Sequence, residues 1–260
     1  MRLTDRDIQI LMKVNECLWL STSQIKRYFF ADTTTRAVSK RLRLLVDAKW
    51  LSCERASSTD EYFYKLGSQG RDVLTEKVGI DSEGIHIARQ LPTQLKHFST
   101  INDLRWYFEL AIQKESGALE FFFVDRELKS FLADSAIIPD VLVSFTIGES
   151  GQMKKYIVAV EYDAGTENPQ YFGRDKVKKY SEAFRDGEII FGASDFRVVV
   201  FADTRTRIVQ LIRYSMKFLP NDRILLFASL EDLTNGFGLR ERIFLNPQQS
   251  NVTSLYSLIE

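Results

Sequence analysis

The sequence predicts a chain of the α+β or α/β class in two parts. Three short helices closed by a β-hairpin come first, followed by a mixed sheet flanked by helices in the order α-β-β-β-α-β. Three observations predict it. Capped helical segments run from Thr4 to Asp47 and give way to two extended, partly aromatic runs. The stretch "GIDSEGIHIARQLPTQLKH", residues 79–97, has two glycines, a proline and little periodicity. Beyond it, β-branched runs such as "FRVVVFAD" alternate with helical stripes, the pattern of buried strands covered by helices. The expected division is 1–80, a linker at 81–97, and 98–260.

In the first part, Thr4 with Asp7 three residues on reads as a helix start, followed by Ile8, Leu11, Cys17 and Leu18. "LSTSQIKRYFF" supplies a second cap and a short helix with Ile25, Phe29 and Phe30. "DTTTRAVSKRLRLLVDAKW" is the third helix, with Val38, Leu42 and Leu45 on one face and Arg36, Ser39, Lys40 and Arg43 on the other, Arg41 at the flank. "KWLSCERASSTDEYFYKLG" then reads as a hairpin with a polar tip. This is the layout of a winged helix-turn-helix, whose third helix enters the major groove of DNA. Arg36 and Lys40 are placed for base edges, and Arg41, Arg43 and Arg55 for phosphates. The competing reading is an ordinary solvated helix face.

Charge supports a polyanion partner. The whole chain is neutral, with 35 basic and 35 acidic residues, but residues 1–77 hold 14 Lys and Arg against 10 Asp and Glu. Between Lys26 and Arg55 there are eight bases and three acids. At 45% hydrophobic and 27% charged residues the chain reads as globular. No apolar run approaches the ~18–20 residues needed to span a bilayer. "MRLTDRDIQI" has no apolar core of a signal peptide, and Cys17 and Cys53 lie too far apart for a zinc knuckle. The expectation is a cytoplasmic protein with buried free thiols and no membrane partner.

In the second part, "FSTINDLRWYFELAIQKE" is a helix with Ile101, Leu104, Phe108, Ala111 and Ile112 at helical spacing. "LEFFFVD", "AIIPDVLVSFTIG" and "KKYIVAVEYD" are strands. "YFGRDKVKKYSEAFRDG" is a helix with Gly173, Val177, Tyr180 and Phe184 on one stripe. "FRVVVFAD" is a strand, "TRIVQLIRYSMKFL" a helix and "RILLFAS" a strand, with a short tail from "RERIFLNP". His86 and His97 read as capping or packing residues, since neither has a second histidine at metal-ligand spacing.

Acids interrupt two of these strands at Asp140, Glu161 and Asp163. An α-β-β-β-α-β core with Pro-Asp on the second strand and an acid late on the third resembles the PD-(D/E)XK nuclease fold. The resemblance implies that Asp140 and Glu161 bind Mg²⁺ or Mn²⁺, and that a lysine helps polarise the attacking water. Asp163 stands in the usual lysine position. Lys176 or Lys179, on the next helix, is the candidate for a migrated lysine, and Glu109 for a further metal-binding acid.

A resemblance to the replication-relaxation family covers roughly residues 3–180. It rests on Leu3, Thr4, Arg6 and Asp7, on His97 before Asn102 and Asp103, and on Pro139-Asp140. Further along it takes in Glu161, Asp163, Gly165, Thr166 and Glu167, then Lys176 and Tyr180. The family commonly has a basic residue where Ala164 stands. This resemblance implies a protein of plasmids or mobile elements that acts in replication or DNA relaxation.

Three readings follow. The first is a non-enzymatic protein that binds double-stranded DNA, with Asp163, Glu167 and Lys176 pairing structurally at the sheet end. The second is a Mg²⁺-dependent nuclease or nickase using Asp140, Glu161 and a migrated lysine. The third is a protein-interaction adaptor. Partners on these readings are duplex DNA, proteins of the replication or relaxation machinery, and a second copy forming a homodimer over two half-sites.

Overall fold

The structure, a computed structural model, describes residues 2–132, 137–149, 152–186, 196–219, 224–233, 238–239, 244–247, 252–253 and 255. The chain divides into two units, Met1–Asp103 and Leu104–Glu260.

Helix α1 (Asp5–Cys17) opens on a capping box, in which the Thr4 hydroxyl accepts from the Asp7 amide and the Asp7 carboxylate accepts from the Thr4 amide. Strand β1 (Leu20–Ser21) leads into α2 (Thr22–Phe29), which has a second capping box from Ser21 and Gln24. Helix α3 (Thr35–Asp47), capped by Thr34, buries Val38, Leu42 and Leu45 completely. Each such burial contributes about 1.5–3 kcal/mol. Strands β2 (Leu51–Glu54) and β3 (Phe63–Leu66) form the expected hairpin, and β1 joins it to give an antiparallel sheet of order β1-β3-β2. Three helices followed by a hairpin is the expected order of this part of the chain. Strand β1 is absent from the sequence reading because two residues carry no alternation.

Helix α4 (Ser68–Val73) runs into a π turn, Leu74–Val78, which ends at Gly79 with φ +81°. The stretch 81–97 is tied back to this unit. The His86 amide donates to Asn15 Oδ1 at 2.8 Å, Asn15 Nδ2 donates to the Gly84 carbonyl at 2.8 Å, and Lys65 Nζ donates to the Arg89 carbonyl at 3.1 Å. Helix α5 (Leu95–Lys114) contains the division between the units.

In the second unit, β4 (Ala118–Val124) and α6 (Asp125–Phe131) precede β5 (Val141–Glu149) and β6 (Gln152–Asp163). Next come α7 (Pro169–Tyr171), a π turn (Phe172–Val177), α8 (Lys178–Arg185), β7 (Arg197–Ala202) and α9 (Arg205–Ser215). Strand β8 (Leu225–Ser229), α10 (Leu230–Leu233), β9 (Phe244–Leu245) and β10 (Val252–Thr253) follow. The sheet order is β10-β9-β8-β7-β6-β5-β4, with β4, β5 and β6 antiparallel and β6, β7 and β8 parallel. Apart from α6, the run from α5 to β7 is the expected α-β-β-β-α-β order.

The parallel crossovers put α8 and α9 over one face, where Val177, Tyr180, Ile208 and Leu211 pack on Ala159, Val198, Val200 and Phe227. Strand alternation places Glu161 and Asp163 on that same face. Phe108 of α5 lies against Phe122 of β4, ring centroids 6.3 Å apart.

Three elements differ from expectation. Helix α6 is not anticipated, since its seven residues bury only Leu128 and show no stripe. The helix expected from "YFGRDKVKKYSEAFRDG" is split by its π turn, and Gly187 lies outside the described residues. The strand expected from Ala136 begins at Val141, and residues 133–136 lie outside the described residues, as do residues 240–243 of the expected tail. Cys17 and Cys53 are free thiols. No helix among the described residues is long and apolar enough to cross a membrane.

Candidate functional site

The first candidate surface is the outer face of α3. Burial of Val38, Leu42 and Leu45 turns Arg36, Lys40 and Arg43 to solvent, where they make no ion pair among the described residues. Arg55 is exposed at the hairpin tip, its Nη1 donating to the Ser58 carbonyl at 2.8 Å and its guanidinium 5.0 Å from the Tyr62 ring centroid.

Arg41, expected on phosphate, is held differently. Its Nε donates to Asp7 Oδ1 at 2.9 Å and its Nη2 to Asp7 Oδ2. Asp7 is 1% exposed, and although burial opposes its charge, Arg41 and Thr4 hold its carboxyl below the usual range. The reason is geometric: Arg41 flanks the buried stripe of α3 and meets the start of α1. It positions the helix that carries the exposed cations.

Asn102 and Asp103 also seat this unit. Asn102 Nδ2 donates to the Trp19 carbonyl at 2.9 Å. The Asp103 carboxylate accepts from Gln24 Nε2 at 3.0 Å, from Arg27 Nη2 at 3.1 Å on each oxygen, and from the Tyr28 hydroxyl. Nothing in the sequence links Gln24, Arg27 and Tyr28 to a residue about 75 positions away. His97 sits half-buried in the first turn of α5.

The second candidate is the acidic cluster of the mixed sheet. Pairing of Val141 with Val160 brings Asp140 beside Glu161. Asp140 Oδ2 accepts from the Tyr162 amide at 2.8 Å, and the Asp140 carbonyl accepts from the Asp125 amide at 2.9 Å. Glu161 is 1% exposed, and both its oxygens are engaged: Oε2 accepts from Lys176 Nζ at 2.5 Å and Oε1 from the Tyr180 hydroxyl at 2.8 Å. Burial pushes the Glu161 carboxyl up to about 7; the Lys176 ammonium opposes this and the Asp140 charge adds to it. Burial works against the Lys176 charge, but Glu161 and Asp140 outweigh it and hold the ammonium above its ordinary range. Burial, then the charge of Glu161, raises the Tyr180 hydroxyl well above its usual value.

Asp163 belongs to a separate arrangement. Arg207, in the first turn of α9, grips it as a fork, Nε to Oδ1 at 2.8 Å and Nη2 to Oδ2 at 2.9 Å. Arg207 Nη2 also donates to the Glu167 carbonyl at 2.5 Å, and the Gly165 amide donates to Asp163 Oδ1 at 2.7 Å. The expected pairing of Asp163 with Lys176 is therefore corrected. The crossover geometry gives Asp163 to α9 and Glu161 to the helical segment before β7. Of the two candidate lysines, Lys176 reaches Glu161, and Lys179 is exposed.

Two carboxylates are suitable chemistry for a hard divalent cation. As arranged they do not fit one, because Glu161 has no oxygen unengaged and Asp140 holds a backbone amide. Among the described residues no group of three or more His, Cys, Asp and Glu could hold a metal, so Glu109, half-buried on α5, does not complete such a set.

Fold and sites together define a two-unit protein, a helical unit with an exposed cationic helix and a mixed-sheet unit enclosing an acidic cluster. Residues 11–191 match the replication-relaxation family, and the chain belongs to that family. Among solved structures, a match to restriction endonuclease FokI has a TM-score of 0.32 and 15% identity, covering 91% of this chain and 44% of that one. At that level the likeness carries no argument about this chain. No curated protein gives a match.

Proposed function

We propose that the protein binds double-stranded DNA through α3 and the β2–β3 hairpin, in the replication or relaxation of a plasmid or other mobile element. The observation that carries this reading is the two-faced α3: three buried aliphatics on one side and, on the other, exposed Arg36, Lys40 and Arg43 with no ion pair among the described residues. Arg36 and Lys40, toward the N-terminal end of the helix, read base edges, while Arg43 and the wing's Arg55 hold phosphates. Membership of the replication-relaxation family supports the setting. A homodimer over two half-sites and proteins of the replication or relaxation machinery are the partners this reading accommodates.

The mixed-sheet unit, on this reading, engages DNA or a partner without cutting. Full engagement of Glu161 by Lys176 and Tyr180, and of Asp163 by Arg207, supports that choice over a Mg²⁺- or Mn²⁺-dependent nuclease. The standing of Asp140, Glu161 and Lys176 together is what favours the nuclease.

Gel-shift titration with duplex DNA tests the reading. Arg36→Ala combined with Lys40→Ala should weaken binding more than ~tenfold, given about 1–3 kcal/mol for a good base contact. An unchanged shift overturns the assignment. Supercoiled plasmid should stay intact with Mg²⁺ or Mn²⁺; nicking that Asp140→Ala abolishes would establish the nuclease instead. Copurification of a protein partner with no DNA shift would establish an adaptor.

A further inference from the structure

We infer that Lys176 is the resident cation of the Asp140–Glu161 pair, and that it keeps divalent metal out of the mixed-sheet unit. This goes beyond DNA binding by α3 and does not depend on it.

Four observations carry the inference. Strand register brings Asp140 and Glu161 side by side, which by charge alone calls for a cation. The ammonium of Lys176 supplies it at 2.5 Å from Glu161. The other Glu161 oxygen accepts from Tyr180, so each carboxylate oxygen has a donor from one helical segment. The side chain of Glu161 is 2% exposed while that of Lys176 is 36% exposed. Lysine is thus the more solvent-facing member of the pair.

The segment that delivers Lys176 is fixed. A Cβ on Gly173 would meet the Tyr214 carbonyl oxygen at 2.7 Å, so the π turn lies directly against the end of α9. Val177 and Tyr180 of the same segment are buried in the core beneath α8 and α9. This close packing holds the backbone that carries Lys176 beside Glu161. A divalent ion would have to displace the ammonium, strip two donors from Glu161 and lose most of its own water.

Calorimetric titration of the full-length chain with Mn²⁺ tests this, with Asp140→Asn made in each background to identify binding at the pair. Wild type should show no Asp140-dependent binding at millimolar Mn²⁺. Lys176→Met should acquire a single site, about tenfold or more tighter than any wild-type binding and abolished by Asp140→Asn. Lys176→Gln, which keeps a hydrogen-bond donor for Glu161, gives a second reading should the methionine variant fail to fold. Asp140-dependent binding by wild type overturns the inference. So does failure of a folded Lys176 variant to gain a site, since the ammonium would then not be what excludes the ion.

Discussion

On α3, Arg36, Lys40 and Arg43 stand in solvent without an acid among the described residues, whereas on β6 Glu161 and Asp163 are almost wholly enclosed, each with a dedicated cation. The two units distribute charge in opposite ways. An exposed unpaired cation is well hydrated and free to meet an external anion, and its loss changes folding little. An enclosed carboxylate must be neutralised within the fold, and removing either partner leaves a buried charge that costs several kcal/mol. The outward cations of α3 are available to a ligand; the acids of β6 are committed to structure. Arg41 shows the boundary between these modes, because it shares a helix with Arg36 and Lys40 yet is fixed on the buried Asp7.

The sharpest break of this contrast would come at Asp163. Replacing it with Ala strands the Arg207 guanidinium, whose side chain is 14% exposed, and should cost about 3–5 kcal/mol in denaturant unfolding. A loss under ~1 kcal/mol would mean that the fork contributes little and that the units are less different than drawn.

Next comes the pH response of Glu161. Its folded-state value of about 7 lies above its ordinary 4.5, so between these pH values the folded chain keeps a proton that the unfolded chain has released. Its contribution is therefore full below about pH 4.5 and fades as pH rises through about 7, amounting to about 3 kcal/mol. Glu161→Gln should flatten this part of the stability-against-pH curve, and an unchanged slope would assign it to other groups. Arg41→Met should cost about 1–3 kcal/mol, since it leaves Asp7 buried with only Thr4 as partner. The smallest effect is expected at Arg43→Ala, within about 0.5 kcal/mol in stability. That variant should still lower the salt-dependence slope of DNA binding by about one.

Much of this was legible from local spacing. The stripe Val38, Leu42, Leu45 places α3 and turns its cations outward, and the same logic finds the buried side of the segment carrying Gly173, Val177 and Tyr180. The Pro139-Asp140 pair and Glu161 were found because acids interrupt apolar strands, and Lys176 was within reach as a candidate on the next helix. Arg207 was not. It stands 44 residues from Asp163, and only the parallel crossover from β7 to β8 brings α9 over that end of the sheet. Arg41 looked like its neighbours because one turn of helix cannot reveal which flank meets α1. Helix α6, with a single buried residue, had no period to detect.

Asp103 carries one more consequence, concerning the order in which the chain is made. The carboxylate that gathers Gln24, Arg27 and Tyr28 of α2, and the amide of Asn102 that takes the Trp19 carbonyl, lie at the far end of the first unit. On the ribosome, α1, α2 and α3 emerge well before the residues that fasten them. With synthesis at about 5–20 residues per second, α2 waits several seconds for its last polar partner. Helix α2 thus takes its final seat only once the chain has entered α5, so a ribosome paused within the 79–94 stretch would display α2 without the carboxylate that fastens it.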